Sequence, residues 1–217
     1  MFGFRKKKKE ENYGFQSFER DFKDIAKIMN VDINNMTPIQ QLGLLTLAFG
    51  KLQQKDQGMN IGNTNSESIN YLCLNDFSFA DTLLVTSIYN VLLVAGRMDV
   101  NKVGRFQASY IMWVERGIKH LTNIDTVELG IMVEDRLDAY LGALKKTRTS
   151  GIEAIKSVFE RLIINDISGD YQDYNAYAPL NLLGIGETVN VKTQIGGLFE
   201  AIPATFDRTC QMVANSF

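Results

Sequence analysis

From Phe15 onward, the apolar positions Phe15, Phe18, Phe22, Ile25, Ala26 and Met29 recur at three- and four-residue intervals, the spacing that gathers side chains on one face of an α-helix. Charges take the other face: Glu19 with Lys23 and Arg20 with Asp24 stand four apart, where opposite charges on a helix attract weakly. A second start is written by Thr37-Pro38-Ile39-Gln40, in which a capping hydroxyl, proline at the first helical position and a Gln three residues on complete a capping box. Leu42, Leu45, Phe49 and Leu52 then form the buried stripe. Gly58 to Asn65 reads as a loop, and Thr64 with Glu67 opens a short third helix by the same device.

Asn75, Asp76 and Ser78 punctuate the chain before its most apolar stretch, Phe79 to Gly96. Asp81, Thr82, Thr86, Ser87 and Asn90 interrupt that stretch, and a membrane span needs about 20 mostly apolar residues, so it reads as a core helix. A fifth helix carries Val103, Phe106, Tyr110, Trp113, Gly117 and Leu121 on one face, with Gly117 placed to let a neighbour approach closely. Asp125 and Glu128 open a sixth, with the stripe Val127, Val133, Leu137, Tyr140, Leu141 and Leu144. Ser150 and Glu153 open a seventh, in which Ile155, Phe159 and Leu162 face inward.

After Asn165 the helical period is lost. Ser168 to Gly186, with Gly, Asn, Asp and three tyrosines, reads as a long ordered loop. Val189, Val191, Thr193 and Ile195 alternate as a short strand would, with Leu180 to Ile185 as partner in a small C-terminal β-hairpin. Gly196-Gly197 leads into a last helix that Pro203 either kinks or opens. The expected fold is all-α: a single bundle-like domain of seven to eight helices over residues 13–217, preceded by a flexible arm over residues 1–12.

Composition supports this picture. Hydrophobic residues at 45% and charged residues at 22% are ordinary globular usage. Only three prolines interrupt the backbone, which leaves long runs for helical N–H ladders. The two cysteines, Cys73 and Cys210, read as free buried thiols in a reducing cytosol.

Charge adds a second feature. Arg5, Lys6, Lys7, Lys8 and Lys9 form a run with no acid, so the rest of the chain holds 18 bases against 25 acids. An acidic body argues against a nucleic-acid groove, which needs clustered Lys and Arg on one face. The arm, with Phe2 and Phe4 beside its cations, reads as a solvated tail that can also contact an anionic membrane surface or an acidic partner. That places the chain in the cytoplasm, at times peripheral to the inner membrane surface.

Candidate chemistry is sparse. Tyr171, Tyr174 and Tyr177 recur every third residue before Pro179, and tyrosine supplies large contact area at interfaces, so they are the candidate partner-binding residues; as core cover under a loop they would be structural. Glu134, Asp135 and Asp138 crowd one helix, a face that can hold Mg²⁺ or Mn²⁺ through carboxylate oxygens if an opposing acidic face exists; otherwise it is a solvated face. His120, the only histidine, falls near a helix end where an imidazole meets terminal carbonyls, and its isolation excludes histidine-based di-iron and zinc centres. Neither cysteine has an elbow or oxyanion glycine beside it, and Gly184-Ile185-Gly186 is too short for a phosphate loop.

The function expected from these residues is non-enzymatic: a protein-binding or regulatory chain with no cofactor, working through contacts with another protein and tethered by its arm. The alternatives are a divalent-metal-dependent all-α enzyme and a structural subunit that associates with itself or a larger assembly.

Overall fold

The computed structural model describes residues 17–55, 70–147, 150–168 and 185–217. Seven helices and no strand occur among them. These are α1 (residues 17–28), α2 (Pro38–Lys55), α3 (Asp76–Ala95), α4 (Val100–Leu121), α5 (Thr126–Lys146), α6 (Gly151–Ser168) and α7 (Ile185–Ser216), with 3₁₀ turns at Ile33–Asn35 and Tyr71–Cys73. The all-α bundle expected from the sequence is thus the fold observed.

Local chemistry sets most helix ends. Helix α1 buries Ile25, Ala26 and Met29, pairs Glu19 with Lys23 at 2.6 Å on its solvent side, and stops at Asn30, whose φ of 54° is left-handed. The Val31 N–H then bonds the Ala26 carbonyl and the Asn30 N–H bonds that of Lys27, the paired closure that ends a helix when its first outside residue turns left-handed. At α2 the Thr37 N–H donates to Gln40 Oε1 at 2.8 Å and the Gln40 N–H returns to Thr37 Oγ1 at 3.3 Å, so the capping box forms as spelled. Asn75 and Ser78 cap α3 reciprocally. Asp125 caps α5, and the backbone N–H groups of Val127 and Glu128 hold its carboxyl below the ordinary range, with Lys119 assisting.

Helix α3 is the axis of the bundle, packed against α2, α4, α5, α6, α7 and the Tyr71–Cys73 turn. It is apolar on nearly every side, as a helix surrounded by others must be. By length and composition alone it would span a membrane, yet 83% of its apolar window is buried inside the fold. Close approach relies on three glycines where a side chain would collide, of which Gly50 of α2 meets α3 itself, its added Cβ standing 2.5 Å from Leu83 Cδ2. A Cβ on Gly117 would stand 2.2 Å from Leu47 Cδ1, and one on Gly43 would stand 2.2 Å from the Trp113 ring, so α2 and α4 meet through hydrogen atoms.

Three expectations are corrected. Residues 189–195 lie within α7, not in a strand: Val191 and Ile195 are buried and Thr193 between them is exposed, whereas a strand would put all three on one face. A spacing of four is common to both periods, and the buried row Val191, Ile195, Leu198, Ile202, Phe206, Cys210 and Val213 shows that the helical one governs. Pro203 does not open that helix, which leaves the other of its two expected roles: it lies inside α7, where its ring denies Phe199 a helical donor. Val127, assigned by spacing to the buried stripe of α5, is instead 70% exposed. The helix expected to open at Thr64 with Glu67, most of the loop from Ser168 to Gly186, and Leu180 to Gly184 of the expected hairpin lie outside the described residues.

Candidate docking surface

Phe2, Phe4, Arg5, Lys6, Lys7, Lys8 and Lys9 of the arm, and Tyr171, Tyr174 and Tyr177, lie outside the described residues. Glu134, Asp135 and Asp138 are exposed along α5. Arg136, in their midst, turns the other way: its Nε donates to Asp81 Oδ1 at 2.8 Å and its Nη2 approaches Asp81 Oδ2 at 3.3 Å. Among the described residues, no three His, Cys, Asp or Glu side chains converge as metal ligands would. His120 is exposed in the last turn of α4, the helix end where a basic side chain is favoured.

The buried polar groups are used in holding the bundle together. Asp81 is 1% exposed, so its two-pronged pairing with Arg136 binds α5 to the central helix through desolvated charges. Deeper in, Thr46 of α2 donates its hydroxyl to the Leu42 carbonyl at 2.9 Å. That hydroxyl proton is thereby committed, so the Tyr110 hydroxyl donates to Thr46 Oγ1 across 2.7 Å. Asn90 Nδ2 then donates to both oxygens, at 3.2 Å and 3.1 Å. The Cys210 thiol lies 3.9 Å from the main-chain and side-chain oxygens of Asn90, which brings α7 into the same network.

Burial sets the acid–base character of these groups. It pushes the Tyr110 hydroxyl up to about 12 despite its hydrogen bonds with Thr46 and Asn90. It pushes the Cys73 and Cys210 thiols up to about 12 as well, so both remain protonated and free, without a disulfide. A nucleophile needs the opposite shift. The polar residues that interrupt Phe79 to Gly96 were the sequence signal for this network; their partners on α2, α4, α5 and α7 were not legible.

Sequence reasoning missed one surface feature. Between α3, α4 and α5 lies an apolar pocket of about 100 Å³, partly open to solvent. Its floor comes from Ile88 and Val91 of α3; Val103 and Ile111 of α4 and Leu137 and Leu141 of α5 form its walls, and Gln107 is its one polar lining residue. Spacing places the rim. Gly104 and Ala108 follow Val103 and Gln107 on the solvent side of α4, and an added Cβ on Gly104 would meet nothing within 4 Å. On α5, Glu134 and Asp138 stand three residues before Leu137 and Leu141, on the flank beside the pocket.

Ile111 and Leu137 are the lining residues nearest the α4–α5 connection. Beyond them toward it come Glu115 on α4 and, on α5, Ile131 at 49% and Val127 at 70% exposure. The pocket is thus lined almost wholly by apolar side chains, and small and acidic residues stand on the neighbouring exposed faces of α4 and α5.

Comparison with known proteins finds no family model, no curated protein and no solved structure that matches this chain. What the fold and surface define is a helical bundle around a buried central helix, with an apolar groove between two of its outer helices.

Proposed function

We propose that this chain is a non-enzymatic binding protein that acts through protein–protein contacts, with the α4–α5 groove as its docking face. The supporting observation is the partly open apolar pocket between α3, α4 and α5, together with Val127 and Ile131, large side chains one turn apart that lie well exposed elsewhere on α5. An apolar centre rimmed by charge is the usual anatomy of a surface that buries itself against a partner. Tyr171, Tyr174 and Tyr177 are proposed to extend the contact, and the arm from Phe2 to Lys9 to add a tether to an anionic surface on the cytoplasmic side.

The test is affinity capture from the native host with tagged full-length protein and with a Val127→Glu, Ile131→Glu variant. Both positions are exposed, so the variant keeps its circular dichroism and melting temperature. A stoichiometric partner held by the parent and lost by the variant supports the reading. The same partner held equally by both moves docking to the tyrosine segment, which a Tyr-to-Ala triple variant then tests. No partner on either bait removes the reading.

A further inference from the structure

We propose that the α4–α5 groove is occupied by the N-terminal arm of this same chain: a Phe2 or Phe4 ring enters the apolar pocket while the lysines from Lys6 to Lys9 lie along the carboxylate end. This rests on the reading of the groove as a docking face and goes beyond it by naming an occupant.

The pocket carries the inference first. Its lining is apolar apart from Gln107, and its volume is about 100 Å³ with one side open. Enclosed apolar cavities of about 150 Å³ accept benzene, so this one suits a single ring entering from solvent. A chain that presents Phe2 and Phe4 two residues apart has two such rings to offer.

Charge selects the occupant. The carboxylates nearest the pocket toward the α4–α5 connection are Glu115, Glu134 and Asp138, with Asp135 further round α5. Among the cations on the same pair of helices, Lys145 and Lys146 in the last turn of α5 and Lys102 and Arg105 in the first turns of α4 mark the opposite end of the pocket, while Arg116 is exposed next to Glu115, about 100° round α4 from it. Arg136 is committed to Asp81, and Lys119 lies close enough to Asp125 to draw its carboxyl down. An occupant with an aromatic head and a cationic run matches that polarity, and Phe2-Gly3-Phe4 followed by Arg5 to Lys9 has that order. Attraction of this kind operates within about one Debye length and weakens with salt.

Reach permits it. Thirteen Cα-to-Cα steps separate Phe4 from Ser17, the first described residue of α1. Fully extended they span roughly 45 Å, close to the diameter of a domain of this size.

The experiment is zero-length carbodiimide cross-linking of the full chain, which joins lysine amines to carboxylates in direct contact, read by mass spectrometry on an equal mixture of light and heavy-isotope protein. Cross-links from Lys6 to Lys9 are expected to concentrate on Glu134, Asp138 and Glu115, at least fivefold above exposed carboxylates elsewhere such as Glu19 and Glu200. They should fall at least fivefold in a Phe2→Ser, Phe4→Ser variant, whose changes lie outside the described residues. Light-to-light and heavy-to-heavy links alone show each arm on its own groove and support the proposal; mixed links place it on a second copy's groove and overturn it. Links spread evenly over Glu19, Glu200 and the groove, or a yield unchanged by loss of both rings, overturn it. Because no partner is needed, this outcome is independent of capture by the Val127 and Ile131 surface.

Discussion

Replacing Arg136 by Met leaves the length of the side chain largely intact and removes its charge. Asp81 is then a carboxylate 1% exposed to water that has lost the guanidinium 2.8 Å away. Breaking a buried ion pair from one side typically costs 3–5 kcal/mol, because the remaining charge is neither solvated nor paired. Arg136→Met is therefore expected to destabilise the fold by about 3–5 kcal/mol. With a shift of about 2–4 °C per kcal/mol for a chain of this length, the melting temperature should fall by roughly 6–20 °C. Removing both partners together, as Asp81→Leu with Arg136→Met, takes away the stranded charge as well. That double variant should lie within about 1 kcal/mol of the parent and far above the sum of the single changes. Glu134→Gln, two residues away but exposed, should change stability by no more than about 0.5 kcal/mol. The assay is urea unfolding followed by circular dichroism and by the fluorescence of Trp113, the only tryptophan. An Arg136→Met protein within 1 kcal/mol of the parent, or a double variant as unstable as the two single losses added, would refute the view that this pair holds α5 to the core through desolvated charge.

Three further outcomes follow from the same packing. Tyr110→Phe removes the hydroxyl that donates to Thr46 and accepts from Asn90, and should cost about 1–3 kcal/mol by urea unfolding at unchanged helical content; an unchanged midpoint would show that the network contributes nothing. Gly117→Ala forces a Cβ to within 2.2 Å of Leu47 and should destabilise by about 1–3 kcal/mol, whereas Gly104→Ala meets open space and should stabilise by about 0.5–1 kcal/mol, a contrast in sign that a pair of thermal melts decides. With Cys73, Cys210 and Tyr110 all held protonated to about 12, the folded state retains protons that the unfolded chain releases from about pH 9 for the thiols and pH 10 for the hydroxyl. Their contribution is complete below those values and is lost as pH rises toward 12, by up to about 1.4 kcal/mol per pH unit for each group; Cys210→Ala should flatten that decline, and equal slopes would contradict it.

Much of the bundle was written locally. Thr37 with Gln40, Asn75 with Ser78, and Asp125 mark helix starts because a capping side chain satisfies N–H groups two or three residues along the same chain. The buried faces of α1, α4 and α6 follow from spacing for a similar reason: a helix fixes which of its own side chains share a face. Those relations need no knowledge of the rest of the fold, and the sequence determined them alone. The strand expected at 189–195 failed because Val191 and Ile195 suit either period over so short a run; only the later positions of α7 against the core distinguish them. Val127 failed differently: spacing shows that a position is apolar, and whether another helix closes over it depends on elements elsewhere in the chain. The same limit hid the partners of Asp81 and Asn90, which lie 55 residues away at Arg136, and 44 and 20 residues away at Thr46 and Tyr110. The α3–α4–α5 pocket belongs wholly to tertiary structure, since it is a gap between three helices, and no single stretch of sequence encodes the distance at which its neighbours stop.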